Sequence, residues 1–370
     1  QPQRSSYGLI NEAVANFSLW STDHVVLGGV DLQRETFRNP IDIGIAPPVV
    51  RDIVDPQYGP IPPFAFSITG NFLGTTDWVG VYLQDQIALL ADGRLKLLLG
   101  GRFDYVEFSQ HEFGTPDSAD QHEYNDAFTG RAGVLYEFLH ELAMYASVSQ
   151  SFLPPPNGSS TLDGQPLEPE TGVQYEVGWK ARTLDDRVSA TLALYEITKD
   201  DVGIADPRNP EFNLNAGKLR SRGVEVDVLG QITDAWNVIA SYALTDTDVV
   251  SSDVLPEGKP FRNVPRNAGG VWLWYDLPPF GSWGALALGA GAVAVEARAG
   301  NDENTFNLPG YARLDAAVSW RRALGPGTRL RAQLNVENVT DVEYYPVSAL
   351  TSAVEPGSPV RLVGSVALEF

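Results

Sequence analysis

Cysteine is absent from all 370 residues, so neither a disulfide, a thiol nucleophile nor a thiolate metal site is available to this chain. That absence fits export through an oxidising compartment. Histidine is scarce, with four residues at His24, His111, His122 and His140. No eighteen consecutive apolar residues occur although 43% of the chain is hydrophobic, which excludes helical membrane spans. Positive charge is short as well. Lys and Arg number 26 against 47 Asp and Glu, a net charge of -21, and because polyphosphate binding needs a basic surface, nucleic acid is excluded as a partner. The acidic excess gathers in stretches that read as solvated, cation-bridging loops, around 116–126 and 299–304. The front of the chain, Gln1 to Tyr7, has no basic stretch leading into an apolar one, so a signal peptide is expected upstream of it.

What the chain does have is alternation. In the last ten residues Leu362, Gly364, Val366, Leu368 and Phe370 fall on one side and Arg361, Ser365 and Glu369 on the other. A period of two over about ten residues is the length at which a tilted strand crosses a bilayer. The split recurs where Val173, Tyr175, Val177, Trp179 and Ala181 oppose Gln174, Glu176, Gly178, Lys180 and Arg182. It recurs again where Leu95, Leu97, Leu99, Phe103 and Tyr105 oppose Lys96, Arg102 and Asp104. Towards the end Leu314, Ala316, Val318 and Trp320 oppose Arg313, Asp315, Ser319 and Arg321, and Leu330, Ala332, Leu334 and Val336 oppose Arg329, Arg331, Gln333, Asn335 and Glu337. One side is lipid-like and the other charged.

Connections alternate in length. Short turns at 20–24, 90–94, 139–141, 185–187, 233–235 and 324–327 alternate with long polar segments near 35–71, 114–125, 154–170, 205–214, 251–262 and 346–358. Short periplasmic turns and long outer loops are the rule for outer-membrane barrels. Trp20, Trp78, Tyr136, Phe138, Trp236, Trp272, Trp274, Trp283 and Trp320 lie near strand ends, where interfacial girdles or ordinary packing would place them. The fold class predicted is all-β, a transmembrane antiparallel β-barrel of the bacterial outer membrane. About fifteen strands are expected, the first over Asn11 to Leu19. Since a closed bacterial barrel needs an even number, this expectation includes an upward strand before residue 1.

In order and spacing, several segments resemble the TonB-dependent outer-membrane receptors, in particular the siderophore-receptor branch. They are His24-Val-Val-Leu-Gly-Gly-Val-Asp31, Gly80-Val-Tyr-Leu-Gln-Asp-Gln86, Leu97-Leu-Leu-Gly-Gly-Arg-Phe-Asp104 and Leu167-Glu-Pro-Glu-Thr-Gly-Val-Gln-Tyr-Glu-Val-Gly-Trp-Lys180. Ser221-Arg-Gly-Val-Glu-Val-Asp227, Ala240-Ser-Tyr-Ala-Leu-Thr-Asp246, Asn263-Val-Pro-Arg-Asn267 and Leu308-Pro-Gly-Tyr-Ala-Arg-Leu-Asp315 follow, then Val336-Glu-Asn-Val-Thr-Asp-Val-Glu-Tyr-Tyr345 and the terminal Phe370. The resemblance implies a barrel of about 22 strands, of roughly 550 residues, around an N-terminal plug. Residues 1–370 would be its C-terminal portion, with the plug, the TonB box and the first strands outside them. The resemblance further implies a receptor and transporter for ferric siderophores, energised by the TonB-ExbB-ExbD complex. Iron would be carried within the ligand, so no protein cofactor is implied. Barrel assembly machinery and outer-membrane lipids are the remaining partners, with Val366, Leu368 and Phe370 as the C-terminal assembly signal.

On this resemblance the ligand pocket lies inside the outer loops, and Tyr58, Phe64, Phe66, Phe113, Tyr124, Phe152, Tyr344 and Tyr345 are its candidate aromatics. Arg102, Asp104, Arg131, Glu176, Lys180, Arg182, Glu225, Asp227, Arg313, Asp315, Arg329 and Arg331 are expected to face the lumen, docking the plug or satisfying one another as exposed pairs worth about 0–1 kcal/mol each. His111 and His122 flank an acidic stretch, but their spacing matches no metal motif. Gly284–Val295 lacks the Lys-Ser/Thr of a phosphate loop and reads as a strand. Four histidines, two of them at turns, assemble no catalytic triad, and no blade-length repeat marks a propeller. The alternatives left open are import of cobalamin, haem or a glycan, or a plug-less passive channel.

Overall fold

A computed structural model describes every residue except 1–2, 46–65, 91, 114–120, 156–158, 184, 207–208, 210–211, 216, 253 and 351–352. Fifteen strands form one antiparallel sheet in strict chain order. They are β1 Gln3–Leu19, β2 Thr22–Ile45, β3 Phe66–Ala88, β4 Leu95–Glu112, β5 Gln121–Leu139, β6 Leu142–Leu153, β7 Glu170–Thr183 and β8 Val188–Asp200. The rest are β9 Lys218–Gln231, β10 Trp236–Ser251, β11 Asn267–Asp276, β12 Ala285–Val295, β13 Tyr311–Gly325, β14 Thr328–Glu337 and β15 Arg361–Glu369. Three small hairpins, between Gly203–Ala205 and Asn213–Asn215, Arg298–Ala299 and Asn307–Leu308, and Val347–Leu350 and Ala353–Glu355, stand on the long connections. No helix among the described residues is long and apolar enough to cross a membrane.

The sheet meanders because each short turn has residues that reverse the chain at once. Leu19 pairs directly with Thr22, so Trp20 and Ser21 form the whole turn, with Trp20 at φ 54°. Asp185 and Asp186 take consecutive left-handed conformations, φ 55° and 63°, which short Asx side chains tolerate. All these turns lie at one end of the sheet, and all long connections lie at the other. The turn over 277–284, which includes a single 3-10 turn at Gly281–Trp283, was not marked by the sequence reading.

Register carries each face across the ladder. Glu176 lies opposite Ser147 on one side and Tyr195 on the other, while Val177 lies opposite Ala146 and Leu194. Every second residue therefore belongs to one continuous wall surface, polar on one side and apolar on the other. The outward, apolar surface is Val173-Tyr175-Val177-Trp179 in β7, and Tyr175 there is 59% exposed. It is interrupted near the short-turn end by His24, whose Nδ1 lies 2.7 Å from Asp85 Oδ2 while its ring stacks on Phe17. Towards the long-connection end the same surface closes in an ionic rim, where Arg34 grips Asp77 through two bonds of 2.6 and 2.7 Å and Arg220 grips Asp248 at 3.0 and 3.1 Å.

Three strand limits differ from the sequence reading. β1 begins at Gln3 rather than near Asn11, and β2 and β3 run to Ile45 and from Phe66, through a stretch read as loop. At 24 and 23 residues these strands far exceed the ten or so needed to cross a bilayer. Their upper parts rise above it, where no lipid enforces alternation. β1 is bonded to β2 only and β15 to β14 only among the described residues.

Candidate functional site

The polar wall of β2 to β6 is built around Arg102. Asp31, Gly80 and Asp104 lie side by side on β2, β3 and β4, and Gly80 carries no Cβ. A Cβ there would collide with the Arg102 guanidinium, so glycine opens the path by which this β4 side chain crosses β3. Arg102 Nε donates to Asp104 at 2.8 Å, and its Nη2 lies 2.7 Å from Asp104 and 3.4 Å from Asp31. Asp104 is only 4% exposed and also accepts from Trp78 Nε1 at 2.6 Å. A buried carboxylate needs both a counter-ion and donors, and this one has both. Tyr82 places its ring beneath Arg102, 5.4 Å from the guanidinium carbon, and donates its hydroxyl to Glu12 at 2.6 Å.

Beside this group lies a cleft of about 470 Å³ lined by Tyr82, Gln84, Arg102, Arg131 and Gln150 among others. Arg131 donates there to the Gln84 amide and has no carboxylate partner among the described residues. The β5–β6 ladder stops at the pair Arg131–Ser149, and the Gly130 N–H donates instead to the Gln150 side chain at 3.0 Å. Above that break Phe152 meets Trp78 edge-on, ring centres 6.4 Å apart. The structure thus brings Phe152 and Trp78 together over Asp104, and takes Trp78 out of the interfacial girdle.

Further round the wall, Tyr145 donates to Glu176 at 2.5 Å and Lys180 sits 5.1 Å from the Tyr145 ring centre. Glu225 and Asp227 share this polar face, opposite Ala193 and Thr191. Arg182 is at the turn end, 3.7 Å from Asp186. Arg313 binds Asp315 at 2.8 Å, Arg331 donates to Gln333 at 2.9 Å, and Arg329 lies opposite Glu369.

At the opposite end the connections 252–266, 296–310 and 338–360 are stapled into one block by side chains that imitate backbone. Asn263, at φ 62°, exchanges two bonds with Ser348, donating at 2.8 Å and accepting at 2.9 Å. Asn338, at φ 53° and 1% exposed, donates to Val342 O and Ser358 O, accepts from Val342 N, and gives its own N–H to Asp315 at 2.7 Å. Arg298 is buried and donates to the carbonyls of Tyr345 and Pro346 at 2.8 and 2.6 Å. Burial pushes its guanidinium below the ordinary arginine value. Tyr344 accepts from Arg313 at 3.2 Å and lies against Gly357, where any Cβ would overlap its ring.

The candidate aromatics are therefore dispersed. Tyr344 is 8% exposed inside the stapled block, a structural position that leaves its ring closed to a ligand, whereas neighbouring Tyr345 is exposed. Tyr124 lies opposite Glu107 and tilts against Tyr105, which puts it on the outward surface rather than in the lumen. Phe113 packs edge-on to His111 beneath Arg38. Phe66 opens β3, and Tyr58 and Phe64 lie outside the described residues. Neither His111 nor His122 joins a cluster of three metal-ligating residues among those described. The sequence reading did not single out Glu12, Asp31, Tyr82, Asn263, Arg298 and Asn338, and it grouped Trp78 with the strand-end aromatics. The left-handed pair in Asn338-Val-Thr-Asp341 was the readable signal, since Asx residues favour that conformation.

Comparison with known proteins agrees with this architecture. Residues 1–339 match the family model described as TonB dependent receptor-like, beta-barrel. The metal-pseudopaline receptor CntO of Pseudomonas aeruginosa is 32% identical over 87% of this chain and 45% of its own length. The ferrioxamine B receptor of Salmonella typhimurium is 30% identical over 99% of this chain and 50% of its own. In fold the chain resembles the closed form of the ferric-catecholate import receptor Fiu of Escherichia coli K12, with a TM-score of 0.78 at 22% identity over 99% of this chain and 55% of that one. The chain spans about half the length of the curated relatives it matches. It belongs to the TonB-dependent receptor β-barrel family of the bacterial outer membrane.

Proposed function

We propose that this chain forms the C-terminal wall of a receptor that imports ferric siderophores across the outer membrane, drawing energy from the TonB-ExbB-ExbD complex. The observation that carries the reading is similarity along nearly the whole chain to receptors named for metal chelates, including pseudopaline and ferrioxamine B. Further strands and a plug belong to the longer protein on this reading, which the relatives' greater length and the single-sided bonding of β1 and β15 support. The polar wall suits that role. Its Arg102, Arg131, Glu176, Lys180, Glu225 and Asp227 present charges of both signs to a plug, while Phe113, Phe152 and Tyr345 are the described aromatics left to meet a chelate. Val366, Leu368 and Phe370, all strongly exposed, form the edge read by the barrel assembly machinery. Iron rides in the ligand, so no resident cofactor is required.

The test is uptake of radioactive iron, supplied as ferric chelates, into cells expressing the full-length gene product in a strain without its own receptors. Uptake that requires an intact TonB supports the reading. Iron entry that is equal with and without TonB would replace it with a passive channel.

A further inference from the structure

We infer, on the basis of the chelate-receptor reading, that the outer end selects chelates without negative charge, such as iron held by three hydroxamates, and rejects tris-catecholates. Three monoanionic hydroxamates neutralise ferric iron, whereas three dianionic catecholates leave it triply negative. The two classes therefore differ chiefly in what they ask of the receptor's charge.

Two independent features point the same way. The first is the charge of the long connections: the described residues of 154–169, 201–217, 252–266, 296–310 and 338–360 include eleven acidic against four basic side chains. The second is how the basic groups at that end are already used. Lys199 holds Glu170 at 2.6 Å, Lys218 holds Asp200 at 3.3 Å and Arg262 lies 3.5 Å from Asp302. Arg298 is enclosed, with its Nη2 turned to two loop carbonyls. Among the described residues of the connections, Lys259 and Arg266 are the exposed cations without an acidic partner. Glu257, Glu303 and Glu343, by contrast, are exposed and hold no basic residue among those described. A trianion approaching this end meets net repulsion and finds little compensating charge, while a neutral complex loses nothing. Like-charge juxtaposition is a means of excluding wrong partners without adding contacts to right ones.

The experiment uses the purified full-length receptor and two probes of similar size, a ferric tris-hydroxamate and a ferric tris-catecholate. Affinities are read at low ionic strength from quenching of the tryptophan fluorescence. The hydroxamate should bind at least about tenfold more tightly, and the ratio should shrink as salt screens the repulsion. A triple variant, Glu257→Gln with Glu303→Gln and Glu343→Gln, should leave hydroxamate affinity unchanged and narrow the ratio at least about threefold. Equal or tighter binding of the catecholate overturns the inference and leaves the receptor reading standing. An unchanged ratio in the triple variant also overturns it. If neither chelate binds at any concentration, the receptor reading falls and the inference with it.

Discussion

Replacing Asn338 by Gly isolates one joint of the outer block. Glycine retains the left-handed backbone that Asn338 adopts at φ 53°, so the substitution removes side-chain bonds and adds no strain. Three bonds are lost, those to Val342 O at 3.0 Å, to Ser358 O at 3.1 Å and from Val342 N at 2.9 Å. At about 1 kcal/mol each, the joint weakens by about 3 kcal/mol. The backbone bond from Asn338 N to Asp315 remains, so strand β14 keeps its place. A drop of about 3 kcal/mol in local opening raises amide exchange by about a hundredfold where opening limits it. Hydrogen exchange followed by mass spectrometry should show this in peptides over 339–346 and 357–360, with β7 and β8 unchanged. A rise below about fivefold, or one spread evenly over the sheet, would refute the claim that Asn338 pins this connection.

Three other outcomes follow from the same geometry. Arg102→Leu removes the counter-ion of buried Asp104 and should cost about 3 kcal/mol in unfolding, most of which a second change, Asp104→Asn, restores; unfolding in detergent reads both, and no recovery would count against the pairing. Burial raises the Asp302 carboxyl above the ordinary carboxylate range, with Glu303 adding to it and Arg262 opposing. Because the folded value lies above the unfolded one, that contribution is present in acid and is lost as pH rises through the folded pKa. Asp302→Asn should therefore slow exchange of residues 297–308 at neutral pH and leave it unchanged in acid, and slower exchange at both would contradict the assignment to ionisation. Phe370→Ala should lower the heat-modifiable, folded fraction in outer membranes several-fold, which gel mobility of unheated samples measures.

Strand number, order and the outward or lumenal side of β4, β7, β13 and β14 were legible in the sequence because a two-residue period is imposed wherever lipid meets one face. Turn positions were legible for a related reason: Asp185-Asp186 and Gly325-Pro326-Gly327 have few conformations open to them. The tops of β2 and β3 were not, although Ile41, Ile43 and Ile45 alternate with Asp42 and Gly44: Pro40 and the proline-rich stretch that follows read as loop. Nor were the long-range partners. The path of Arg102 over Gly80 to Asp31 depends on register across three strands, and the closure of Tyr344 depends on Gly357, thirteen residues away. Tyr124 read as a loop aromatic because β5 begins at Gln121, earlier than its acidic neighbourhood suggests.

The sheet is a membrane wall with one lipid face and one watery face. Because the chain has no cysteine, single-cysteine variants at each position from 173 to 181 of β7 can be labelled without background in the assembled receptor. Positions 174, 176 and 180 should react with a water-soluble maleimide, or do so once the lumen is opened, while 173, 175, 177 and 179 should react only with a lipid-soluble one. Equal labelling of neighbouring positions, or an inverted pattern, would contradict this two-faced wall.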